Sequence, residues 1–233
     1  VLYPPDGTVR EGTGINGSMQ GPGRENDIDG SLLEGEFKDG KIHNGHGVLL
    51  KANGDLWNGT WVEGSMTGNA TKSSIDGYVY TGEVRNAFEH GYGVLTYPDG
   101  NRYEGNWVTS KQEGAGKKIS FDGRVVEGEF KDGTIFNGKG VLVHPDGVIH
   151  EGTWVEGTME GPGKCSTPDG YSYTGTFYHS KEHGHGQGVY PGGIVYEGEW
   201  DMGKWHGHGK VTTSKGKVQE GEFQYGKFVT VQK

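Results

Sequence analysis

Along this chain, large rings and glycines alternate with polar residues at a period of two. Tyr103, Gly105 and Trp107 are separated by Glu104 and Asn106, and Gly91, Gly93 and Leu95 follow the same alternation. Successive side chains of a strand leave on opposite faces, so the pattern predicts strands with rings and glycines sharing one face. Turn signals bound them: Pro-Asp-Gly at Pro98–Gly100, Pro145–Gly147 and Pro168–Gly170, and Asp-Gly at Asp76-Gly77 and Asp122-Gly123. Gly or Pro recurs every few residues, which disfavours helix throughout. Strand glycine costs backbone entropy but lets a neighbouring ring lie flat against the chain.

The alternation is itself periodic. A glycine after a Glu-like position recurs at Gly12, Gly35, Gly59, Gly82, Gly105, Gly128, Gly152, Gly175, Gly198 and Gly221, at spacings of 23 or 24 residues. Both 24-residue spacings carry their extra residue at the same place, Lys38–Gly45 and Lys131–Gly138, which lie 93 residues apart. Across 30–93 and 123–186 roughly half the residues are identical at that offset, as a duplicated four-repeat block would give. The predicted fold is all-β: one continuous array over 1–233 of about ten tandem antiparallel β-hairpins in an elongated single sheet, twisted or curved around a groove. One such hairpin is marginal in water, and stacking stabilises it. Two strands per unit at ~4.8 Å spacing make ten units ~95 Å long.

Composition changes this picture in three respects. The 47 glycines would suggest a disordered chain, but 11% aromatic content and periodic glycines argue for an ordered structure with a thin core. A net charge of −9, with no basic run longer than two residues, argues against nucleic acid as a partner. A single cysteine, Cys165, rules out an internal disulfide framework, and no apolar run approaches a membrane span. With no signal peptide visible, the expected location is the cytoplasm, with association to cytoskeleton or membrane. Val1 already lies inside a repeat, so the chain is expected to be a fragment or processed form.

Tyr196-Glu197-Gly198-Glu199-Trp200, followed by Gly203 and by Trp205-His206-Gly207-His208-Gly209, resembles the MORN repeat. The resemblance recurs in register over essentially the whole chain. Departures occur at Gly14 and Val84, in the Trp position, and at Ala87 and Ser180, in place of the mid-repeat glycine. It implies a non-catalytic scaffold or protein-binding platform at cytoskeletal structures or membrane junctions. It also implies two alternatives: a module recognising anionic phospholipid headgroups, or a regulatory segment of a larger enzyme.

Two ring positions stand out in the repeat. The Trp position carries Phe37, Trp61, Trp107, Phe130, Trp154, Phe177, Trp200 and Phe223, and is expected to be core. At the Tyr position, Trp57, Tyr80, Tyr103, Tyr173 and Tyr196 are expected to line a groove for a partner protein segment, interrupted by Val126 and His150. Glu11, Glu34, Glu104, Glu127, Glu151, Glu197 and Glu220 form an acidic stripe that would steer a basic peptide. Equivalent glutamates lie ~10 Å apart, too far for an acid–base pair, so no catalytic residue is assigned. The same spacing argues against a metal at His183, His185, His206 and His208. No cofactor is expected, because the glycine-rich stretch Gly184–Gly188 opens no helix and lacks Gly-Lys-Ser/Thr. The local pair Lys117-Lys118 is the patch a phospholipid reading would use.

Overall fold

The computed structural model describes residues 7–229, and every regular element among them is a β-strand. Ten strands carry the glutamate, glycine and ring register, from Val9–Ile15 through Arg102–Val108 to Val218–Gln224. Each is followed through a two-residue turn by its hairpin partner. Both turn residues have positive φ, as in Asn16-Gly17 (51° and 81°) and Thr109-Ser110 (49° and 63°). This is the type I′ geometry, whose twist matches that of the flanking strands. Ala87, Ser110 and Ser180 occupy the second turn position without the conformational freedom glycine brings to it.

Consecutive repeats are joined by longer turns. At Tyr97–Asn101, for example, the Gly100 amide donates to Tyr97 O (3.0 Å) and the Tyr97 amide donates to Asn101 O (2.9 Å). Across this junction the register is regular, with Tyr103 opposite Leu95, Gly105 opposite Gly93 and Trp107 opposite Gly91. Within the hairpins the register shifts near the repeat glycine, as between Gly12 and Thr13 and between Gly198 and Glu199. Such a bulge increases local twist.

The chain divides into two compact units between Gly116 and Lys117. Within each unit the strands pair antiparallel in chain order. The first unit runs from Val9–Ile15 paired with Ser18–Asn26 up to Phe88–Thr96 paired with Arg102–Val108. The second runs from Val125–Lys131 paired with Thr134–Val143 to Val218–Gln224 paired with Lys227–Phe228. All eight rings expected at the Trp position are buried, together with Val84. The second strand of the hairpin adds Met19, Ile42, Met66, Ile135 and Met159 to the same interior.

Candidate binding faces

The Tyr-position row does not line an open groove. Tyr80, Tyr103, Tyr173 and Tyr196 are only 0–2% exposed, so no partner side chain can reach their rings. Each ring lies over glycine backbone, and each hydroxyl donates to the carbonyl three residues on: Tyr80 to Glu83 (2.6 Å), Tyr103 to Asn106 (3.0 Å), Tyr173 to Thr176 (3.0 Å) and Tyr196 to Glu199 (2.8 Å). The polar tip that suggested a wet groove is thus satisfied inside the fold. Edge-to-face contacts join the two ring positions. Trp107 meets Tyr80 and Tyr103 at 5.4 and 5.3 Å, and Trp200 meets Tyr173 and Tyr196 at 5.0 and 5.2 Å. Of the five expected contact rings only Trp57 is partly open, and the ammoniums of Lys51 and Lys72 stand over it at 4.2 and 4.5 Å. Val126 is buried, whereas His150 is half-buried and shares a 2.9 Å hydrogen bond with His144.

Burial pushes the phenols of Tyr103, Tyr173 and Tyr196 up to about 12 and raises that of Tyr80 as well. In an unfolded chain these groups ionise near pH 10. The stabilisation from keeping them neutral is therefore complete below pH 10 and disappears as the pH rises through about 12. The tyrosinate absorbance of these four phenols, read as the difference between the parent and their Phe variants, should then rise together with the loss of β-sheet circular dichroism in one cooperative alkaline step. Independent titration of the phenols near pH 10, ahead of unfolding, would show that the rings are wet.

Polar residues enter the same interior in pairs that one strand's pattern conceals. Glu89 holds Lys72 at 2.6 Å and accepts from Ser110, and despite the burial opposing it these bonds keep its carboxyl below the usual range. Gln112 donates to the Tyr97 hydroxyl (2.7 Å), and Tyr171 donates to Glu182 (3.1 Å). Lys118 occupies the repeat position of Lys72, and its ammonium donates to Gly133 O (2.5 Å) as that of Lys72 does to Ala87 O (3.1 Å). Ile135 stands where Glu89 would be, and burial draws the Lys118 ammonium below its ordinary pKa. The expected basic patch at Lys117-Lys118 does not form, because strand alternation turns Lys118 inward.

The opposite face is open and its charges alternate. In cross-strand register, Glu11 faces Arg24, which faces Glu34; Glu127 faces Lys139; Glu151 faces Lys164; and Lys210 lies between Glu197 and Glu220. The expected acidic stripe is therefore partly compensated, because Arg24, Lys139, Lys164 and Lys210, on the second strands of four hairpins, face its glutamates. Two shallow troughs occupy this face in the second unit. One, of about 690 Å³, is lined by Lys117, Val125, Glu127, Lys139, Val141 and Thr153, with Glu151 and Gly152 at its border. The other, of about 450 Å³, shares Glu151 and Gly152 and continues past Lys164 to Thr174 and Thr176. Sequence reading missed Lys139 and Lys164. The alternation of the second hairpin strand, projected across the register, was the signal that could have found them.

His183, His185, His206 and His208 do not converge on a metal site. His185 bonds Gly198 O (2.8 Å), His183 lies 3.4 Å from Asp201, and His208 lies 3.5 Å from Glu220. No group of three or more His, Cys, Asp or Glu suited to a metal occurs among the described residues. Cys165 is buried, and its thiol is pushed up to about 11 by burial and by Glu182.

Residues 34–56, 80–102, 103–123, 127–149, 150–170, 173–194 and 196–218 each match the MORN repeat. The chain belongs to the MORN-repeat family. Three hairpins that the family does not match keep the MORN plan: Val9–Ile15 with Ser18–Asn26, Leu56–Val62 with Ser65–Met66 and Gly68–Ser73, and Val218–Gln224 with Lys227–Phe228. No curated protein sequence matches the chain. Among solved structures it is similar to the G-box domain of the microcephaly protein CPAP, at 14% identity over 96% of this chain and 97% of that one, with TM-score 0.31. It is also similar to the TCP10 domain of Danio rerio CPAP, solved with a peptide of Danio rerio STIL, at 16% identity over 93% and 99%, with TM-score 0.30. A third is the SAS-4 TCP domain of Drosophila melanogaster, solved with a proline-rich motif of Ana2, at 11% identity over 76% and 90%, with TM-score 0.30.

Proposed function

We propose that this MORN array is a non-catalytic protein-binding module, with the troughs opposite the ring face as its contact surface for a partner segment. One observation carries this reading: two troughs adjoin at Glu151 and Gly152 and run across successive hairpins of the second unit, on the face opposite the buried rings. The floor is glycine backbone, the walls carry charges of both signs, and Val125 and Val141 supply apolar surface. Such a surface gives orientation through paired charges and affinity through desolvated apolar contacts. Catalysis is not part of the reading, since the trough glutamates face lysines in register and form no carboxylate pair. Among the described residues no helix is long and apolar enough to cross a membrane.

The test starts with a displayed random-peptide library selected on the whole chain, and the enriched peptides are measured by calorimetry. Lys139→Glu combined with Lys164→Glu should weaken binding ten-fold or more while leaving the melting curve in place. Peptides that bind the double variant as tightly as the parent would place the contact surface elsewhere.

A further inference from the structure

We propose that the repeat-joining turns of the first unit form a second docking edge, shaped for a basic amphipathic helix whose apolar residues recur every seven positions. This edge is separate from the troughs, and its success or failure does not depend on theirs.

Ile28 and Ile75 are 83% and 74% exposed, the most open large hydrophobic side chains among the described residues of the first unit. Each takes the second place of a turn closed by glycine: Gly30 N donates to Asp27 O and Gly77 N to Ser74 O, both at 3.0 Å. The following turn carries Pro98 at that place, and Ala52 serves in the turn between them. Since alanine and proline suffice, the turn itself does not require isoleucine. Adjacent tips also touch: a Cβ built on Gly54 would stand 3.0 Å from Ile75, and one on Gly77 would stand 3.5 Å from Pro98. Tip-to-tip contact thus runs from the Gly54 turn through Ile75 to Pro98, whereas a Cβ on Gly30 would meet nothing within 4 Å, so Ile28 stands as a separate apolar tip on the same edge.

The third place of these turns is acidic, at Asp29, Asp76 and Asp99. Asp29 and Asp99 each spend one carboxylate oxygen on a backbone amide, Ser31 N (2.8 Å) and Asn101 N (2.9 Å), which fixes the negative charge at the tip. Lys51 does not neutralise the edge, because its ammonium is drawn over the Trp57 ring. An acidic, apolar edge fits a basic apolar partner and repels anionic headgroups.

Spacing selects the shape of that partner. Turn tips recur every two strands, ~9.6 Å. In an extended segment three residues span ~10 Å, but an odd step sends successive side chains to opposite sides. In a helix seven residues span ~10.5 Å and return to nearly the same face.

The probe is a synthetic helix of three heptads with Leu at i, i+7 and i+14, flanked by Lys, followed by fluorescence anisotropy on the whole chain. Binding should be salt-sensitive, should raise the peptide's helicity, and should weaken ten-fold or more in Ile28→Ser with Ile75→Ser. Both substitutions sit at exposed tips, and the melting temperature should hold. The proposal is overturned if the peptide does not bind, if versions with Glu for Lys or with Leu every sixth residue bind as well, or if the double Ile variant binds unchanged. Loss of binding in Lys139→Glu with Lys164→Glu would move the helix to the troughs. Ile28- and Ile75-dependent binding of neutral phosphatidylcholine vesicles would make the edge a membrane contact.

Discussion

Gly186→Ala should destabilise the second unit by ~3 kcal/mol or more, at the upper end for an overpacked core site. Gly186 is free of positive φ, so the cost is one of space. Its new methyl carbon would stand 2.3 Å from the Tyr173 hydroxyl, 2.4 Å from Cζ and 2.5 Å from Cε2. On the partner strand, Gly175 confines the same ring, so it cannot swing away along the sheet. Urea denaturation reads the loss, and Tyr173→Leu in the same background should recover at least 1 kcal/mol, the coupling expected of residues in contact. Gly161→Ala gives a contrast: no atom lies within 4 Å, and only its φ of +75° is strained, at ~1 kcal/mol. Equal losses at the two glycines would mean that ring-on-glycine packing is not what holds the strands together.

Trp107→Ala should cost ~3–5 kcal/mol, the range for emptying a buried ring site. The ring is 5% exposed, meets Tyr80 and Tyr103 edge to face, and donates from Nε1 to Gly93 O at 3.3 Å. Its removal would leave two rings without their shared neighbour and would remove the indole donor to Gly93 O. In a repeat array each unit depends on its neighbours, so the damage should remain local. Hydrogen exchange should accelerate first in Val79–Arg85, Phe88–Thr96 and Arg102–Val108, while Lys204–Thr212 keeps its protection. An unchanged melting curve would mean that the ring is dispensable.

Much of the fold was legible because the code is local and repeated. The period of two assigned Tyr103, Gly105 and Trp107 to one face, and all three are buried there. The Pro-Asp-Gly signals located the turns between repeats. The turns within hairpins were not singled out in the sequence: Asn16-Gly17, Asp39-Gly40 and Asp132-Gly133 carry the residues such turns favour, but Thr109-Ser110 and His179-Ser180 adopt the same positive-φ geometry without glycine. There the packing of the hairpin overrides local preference.

The candidate site was harder to read. A tyrosine in a thin β array can point its hydroxyl to water or to a carbonyl, and only the bulge near the repeat glycine decides. Beside that bulge the carbonyl three residues on lies within reach of Tyr173 and Tyr196, removing their need for solvent. Similarly, the glutamate ladder reads as acidic along one strand and is partly compensated once Arg24, Lys139, Lys164 and Lys210 enter the register. Charge on a sheet belongs to strand pairs, and the register shift makes those pairs invisible to a count along the chain.

Hydroxyl-radical footprinting of the folded chain, read by peptide mass spectrometry, tests most directly whether the tyrosine row is core. Tyr92 and Tyr225, at 54% and 65% exposure, should oxidise readily. Tyr103, Tyr173 and Tyr196, at 0–1%, should stay protected until the chain unfolds. Oxidation of Tyr103 and Tyr173 at the rate of Tyr92 would contradict the account and return the row to the surface as a groove.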